Sequence, residues 1–206
     1  MVAAAPVEQT SRLYTIDDLD SFPDDGRLRE LVHGQIVEWD VTTLFHDYIA
    51  TLLSGLLLDY VRRRRLGMAV GGDPHIMIQG SRYDARGPDV AFYARHRIPQ
   101  DLKASAAATA PDFVIEVLSP TDRAGAVLEK TGDWLRAGVR LLWYVNPETG
   151  NTIVYHDGRV YHVAAHEVLD GGDTVPGFTV RLADIYQELA ELQSPAEKAL
   201  DDDARG

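Results

Sequence analysis

The chain has 206 residues, 45% of them hydrophobic and 25% charged, with a formal net charge of -12 at pH 7 and no cysteine. These proportions suit one globular domain with a substantial core. The acidic balance argues against a wholly basic nucleic-acid-binding surface but leaves room for a local one, and the lack of cysteine excludes disulfides and thiolate metal sites.

The opening MVAAAPVEQT has neither a positive stretch nor a long apolar run, and no apolar run reaches the roughly 18 residues of a membrane span. The expectation is a soluble cytoplasmic protein with no membrane partner. Residues 1–13 read as a disordered lead-in, 14–191 as one folded domain and 192–206 as a disordered acidic tail. Thr15 is a plausible N-cap for a short helix over TIDDLDSF that Pro23 ends. In RLRELVHGQIVEW, apolar residues flank His33-Gly34, a pair suited to a tight turn, so two antiparallel strands are expected. Glu30, near the end of the first, reads as a solvated edge-strand acid.

Leu44, Ile49, Leu52, Leu53, Leu56 and Leu57 recur at helical spacing, and Thr42 or Thr43 can cap a long helix that ends in Arg62, Arg63, Arg64 and Arg65. Those arginines complement the C-terminal end of the helix dipole, or could contact a phosphate backbone. His46, in the first turn, reads as packed or hydrogen-bonded rather than as a ligand. Residues 67–80 and 82–95 read as two strands joined around Gly80-Ser81, the second broken by Gly87-Pro88 before DVAFYA. Residues 96–110 form a connector, expected to be partly helical. FVIEVLS, residues 113–119, is a buried strand, followed by a helix capped by Thr121 or Asp122 and stopped by Gly138. VRLLWYVNP reads as a strand buried on both faces, TIVYHDGRVYHVA as a hairpin around Asp157-Gly158, Phe178 to Leu182 as a last edge segment, and ADIYQELAELQ as a final helix. The sum is a mixed α/β (α+β) domain with a curved mixed sheet of about six to eight strands flanked by helices.

Glu116 is the one ionisable residue inside FVIEV. Burying a carboxylate there costs several kcal/mol or more unless a cation or a proton compensates. Asp89 heads a second apolar run, and Lys130 lies on the helix that begins just after the strand of Glu116. Two acids on adjacent strands and one lysine would make a divalent-metal site; a buried ion pair that only ties strand to helix is the plainer alternative. Asp112 is too far to share an ion with Glu116, at ~13 Å for ~3.3 Å per residue along one strand.

Pro88-Asp89, APDFVIEVLSPTDR, Glu129-Lys130 and RAGVRLLWYVNP, together with RELVHGQIVEW and a helix opening near His46, resemble the bacterial Uma-type restriction endonuclease family of the PD-(D/E)XK nuclease superfamily. The resemblance covers roughly residues 14 to 187. It implies a restriction-endonuclease-like core, Asp89 and Glu116 as metal ligands with the backbone carbonyl of Val117, Lys130 as a catalytic lysine moved from strand to helix, and Glu30 as an accessory residue. The implied activity is Mg2+-dependent endonucleolytic hydrolysis of DNA, with Mn2+ as a substitute. A homodimer is expected, and it could gather Arg62 to Arg65, Arg82 and Arg86 along one DNA groove. The alternative is a catalytically inactive nuclease-fold module that binds nucleic acid or protein.

Overall fold

The structure, a computed structural model, describes residues 12–23, 25–39 and 42–193. The expectations for residues 1–11 and for the tail from 194 lie outside the described residues. The chain forms α1 (Ile16–Leu19), β1 (Leu28–Val32), β2 (Gln35–Trp39), α2 (Leu44–Arg64), β3 (Gly67–Gly71), β4 (Ile76–Met77), β5 (Ala85–Arg86), β6 (Val90–Ala94) and β7 (Phe113–Val117). It continues through α3 (Ala124–Ala137), β8 (Leu141–Val145), β9 (Thr152–His156), β10 (Arg159–Val163), β11 (Leu169–Asp170), β12 (Thr179–Val180) and α4 (Leu182–Gln193).

The expected mixed α/β architecture is present, but its strands are divided among three sheets. Six strands run in the order β10-β9-β8-β7-β6-β3, four in the order β2-β1-β5-β4, and β11 pairs with β12. In the large sheet β7 and β8 are the parallel pair, as their connection through α3 requires. Side chains alternate across β7. Phe113, Ile115 and Val117 share a core with Ile49, Leu53, Leu57 and Val61 of α2, while Val114 packs with Trp134 of α3. By the same period Glu116 belongs to the α3 face.

Local chemistry explains most boundaries. The Thr43 side chain accepts the His46 N–H at 3.2 Å to start α2, and Gly138 (φ 92°) stops α3 in the left-handed conformation. His33 and Gly34 both take positive φ, as a two-residue hairpin turn demands. Three expectations fail. The strand expected over 67–80 breaks after β3, because Gly72 (φ 84°) and Asp73 (φ 53°) turn the chain before Pro74; beyond the turn, Ile76 and Met77 join the small sheet as β4. The connector 96–110 contains no helix; its Ala107 bridges Ile76. Neither Thr121 nor Asp122 caps α3: the N-cap is Arg123, without a side-chain bond, and Asp122 instead accepts the Ser119 N–H at 2.9 Å. Among the described residues no helix is long and apolar enough to cross a membrane.

The α2 face fixes what holds the large sheet in place. Leu53→Ala, at a position with no exposure, is expected to cost about 2–5 kcal/mol in urea unfolding. Leu44→Ala, at 87% exposure, should stay within about 0.5 kcal/mol. Equal costs at both positions would contradict this packing.

Candidate active site

Two ladders bring the acids together. Val90 pairs with Ile115 in the antiparallel β6–β7 ladder, so one step further along sets Asp89 against Glu116. The Val117 N–H donates to Asp89 Oδ2 at 2.6 Å and ties the acid to the end of β7. In the small sheet Leu31 pairs with Ala85, so Glu30 stands beside Arg86. The Gly87 N–H donates to Glu30 Oε1 at 2.9 Å. Glu30 is therefore no solvated edge acid: β1 lies between β2 and β5, and the side chain is buried.

Lys130 joins the two sheets. From α3 its Nζ donates to Glu116 Oε2 at 3.0 Å and to the Gly87 carbonyl at 2.8 Å, and it lies 3.1 Å from Glu30 Oε1. Trp134, one helical turn on, donates Nε1–H to Glu116 Oε1 at 2.8 Å. Arg86 is also buried; it donates from Nε to Asp133 Oδ2 at 2.7 Å and from Nη1 to Glu30 Oε2 at 3.0 Å.

The charges do not balance. Four buried carboxylates, those of Glu30, Asp89, Glu116 and Asp133, meet two buried cations, Arg86 and Lys130. Burial opposes ionisation of Glu30, yet Lys130 and Arg86 prevail and hold it below the usual range. Burial pushes Asp89 up to about 7, with Asp73 adding to the rise. Burial likewise pushes Glu116 up to about 8, against Lys130 and with Asp89 and Glu30. Lys130 is held above its ordinary value despite burial, by Glu116, Glu30 and Asp89.

Asp73 is an acid that sequence reasoning passes over. It lines, with Asp89, Ser54 and Gly71, an open groove of about 520 Å3, and with Glu30 and Trp39 a second recess of about 240 Å3. Burial raises its pKa as well. A buried cluster of carboxylates short of positive charge, offering oxygen donors, suits a hard divalent ion.

The arginines expected to meet DNA do not gather here. Arg86 is enclosed by Asp133 and Glu30, so it has no free edge for a phosphate. Arg62 to Arg65 sit at the far end of α2, about 24 Å or more along the axis from His46 at 1.5 Å per residue. Arg63 there binds Asp59 at 2.8 Å, and Arg64 stacks over Tyr60 at 3.9 Å. Arg82 is exposed and pairs with Asp17. Elsewhere His156, Asp157 and Asp173 bring ligand atoms within 4.8 Å of one another, the one such group of three among the described residues. Arg140 already lies 2.7 Å from Asp173 and 3.6 Å from Asp157, filling that cluster with its own charge.

Residues 13–183 match the family model Uma2, described as "Putative restriction endonuclease". A solved structure, that of "a putative nuclease belonging to DUF820" from Anabaena variabilis, superposes with a TM-score of 0.74 at 19% identity, covering 85% of this chain and 98% of that one. At that identity the likeness is one of fold, and it agrees with a restriction-endonuclease-like core. No curated protein matches the chain.

The buried charge cluster predicts a pH-dependent cost for removing its lysine. Because burial lifts Glu116 above its ordinary value near ~4.3 to about 8, the folded protein keeps a proton that the unfolded chain releases. Stability from this group is fully present below about 4.3 and is lost as pH rises through about 8. Lys130→Met should therefore cost about 3–5 kcal/mol at pH 9, where the acids are ionised and uncompensated, and clearly less at pH 5. A cost independent of pH in chemical denaturation would overturn this account.

Proposed function

The chain belongs to the Uma2 family, and from that premise we propose that it is a Mg2+-dependent endonuclease that hydrolyses DNA phosphodiester bonds. The single observation that supports this most is the meeting of Asp89, Glu116, Glu30 and Lys130 from two sheets and a helix in one buried, acid-rich cluster.

Asp89 and Glu116, with the Val117 carbonyl, would hold the ion, which when bound polarises a scissile phosphate and lowers the pKa of an attacking water. Lys130 holds Glu116 through Oε2 and so favours the ionised carboxylate in an apolar strand. It also presents a fixed positive charge next to the place where negative charge develops in the transition state. Trp134 fixes the other Glu116 oxygen, which sets the orientation of the carboxylate. Glu30 keeps the lysine charged and pointed inward, while Arg86 and Gly87 keep Glu30 in place. Positioning of this kind, with every side chain held by a second contact, is what in-line phosphoryl chemistry requires.

One observation favours the alternative, a nuclease-fold accessory module that binds without cutting. Net charge is -12, and the arginines that could meet a polyanion lie remote from the acids or buried. Cleavage decides between the two readings. Plasmid DNA should be nicked in Mg2+ or Mn2+ and protected by chelator, with Asp89→Ala and Lys130→Ala each losing roughly 100-fold or more. Equal nicking by all three proteins would mark the activity as contamination, and no nicking by any would leave the accessory module.

Cation binding should also release protons. Since Asp89 titrates near 7 and Glu116 near 8, and the ionised forms are the ligands, affinity should rise from pH 6 to pH 9. Isothermal titration in buffers of different ionisation enthalpy measures the released protons; an affinity flat across that range would contradict the assignment.

A further inference from the structure

We infer that His46 is a nitrogen ligand of the cation that Asp89 and Val117 hold, an assignment that rests on the metal-dependent reading above. His46 is in the first turn of α2, buried, with its backbone N–H capped by Thr43. Its ring Nε2 lies 2.8 Å from the Val117 carbonyl oxygen and 3.7 Å from Asp89 Oδ1. Its Nδ1 lies 3.1 Å from Asp47 Oδ1.

Each ring nitrogen thus faces an oxygen that can only accept, unless an acid is protonated. A neutral imidazole carries one N–H. Given to Asp47, that proton leaves the Nε2 lone pair aimed at a carbonyl oxygen, a repulsive arrangement unless something positive lies between. Two occupants would resolve it: a second proton on the ring, or a cation shared by Nε2, Val117 O and Asp89 Oδ1. The third distance favours the cation. At 3.7 Å the Nε2 to Asp89 contact is too long for a hydrogen bond. Together 2.8 Å and 3.7 Å bracket the separation of about 3.0 Å expected between neighbouring ligands that each sit ~2.1 Å from one ion. The Asp47 contact supplies the outer partner that a ligating histidine ordinarily has, a carboxylate that accepts the other ring N–H and fixes the tautomer.

The chemical consequence concerns which ion the site takes. Carboxylate and carbonyl oxygens alone suit Mg2+, whereas an imidazole nitrogen moves preference toward Mn2+ and other transition ions. Val117 belongs to β7, His46 to α2, and Asp89 directly precedes β6, so the ion would also join the helix on one face of the large sheet to the acids on the other.

Mn2+ is the probe, read by electron spin resonance on the wild-type protein, which needs no variant to fold. Expected are binding that Asp89→Ala weakens and a 14N coupling from a ligating imidazole. In His46→Gln, checked for native circular dichroism, the coupling should disappear, and Mn2+ affinity should fall at least about tenfold, more than Mg2+ affinity does. Binding that depends on Asp89 without nitrogen coupling, coupling that survives in His46→Gln, or tighter binding by the variant would overturn the role of His46 and leave the nuclease reading intact. No Mn2+ binding by the wild type, or binding indifferent to Asp89→Ala, would overturn both.

Discussion

One ammonium group holds the site together. Lys130 Nζ, carried by α3, touches Glu116 of the six-stranded sheet, Glu30 of the four-stranded sheet and the Gly87 carbonyl that lies between them. Three contacts for three N–H donors leave the group satisfied, which is what allows a lysine to stay charged when buried. Remove it and two carboxylates lose their nearest cation while two sheets lose their bridge. The position of every other side chain in the cluster follows from that contact.

Pairing alone would need one acid per cation. This cluster has four buried acids for two cations, with Asp73 at its edge, and two of the acids are pushed up to about 7 and about 8. A purely structural ion pair does not need the surplus. Replacing such groups with apolar ones of similar size is often neutral or stabilising, so an excess of unpaired carboxylate is a cost that the fold carries for another reason. A divalent cation supplies that reason and also cancels the cost, as the raised carboxylates ionise on binding.

Much of this is legible in the chain. Glu116 stands out as one acid in an apolar strand, Pro88-Asp89 as an acid at a strand entry, and Lys130 as a lysine on a helix starting next to that strand. Each signal is local, and the order strand, helix, strand forces the helix back over the sheet. Glu30 misleads when its own strand is all there is to go on, because a half-alternating strand does not say which sheet will cover it. Arg86 misleads for the converse reason. An arginine is exposed by default, and its burial here depends on Asp133 and Glu30 arriving from elsewhere in the sequence. Asp73 hides inside a run that reads as one strand, although Gly71-Gly72 before it and Pro74 after it are turn chemistry. His46 can be placed on its helix, but its neighbours Val117 and Asp89 come from other elements, and no spacing within the helix reveals them.

The helix-borne lysine also explains a feature of β7. Side chains two apart share a face of a strand, so position 118 would be the direct place for a lysine beside Glu116, and it holds Leu118. Leu118 packs instead into the apolar cluster under α3. A lysine rooted in the strand would leave the sheet next to Glu116 and have to turn sideways to reach Glu30 in the other sheet. One rooted in α3 comes down from above the sheet, between the two carboxylates, and meets both with its chain buried. The same descent brings Trp134 onto the remaining Glu116 oxygen from the next turn. Moving the cation from strand to helix therefore frees a core position and lets one element orient the acid from both sides.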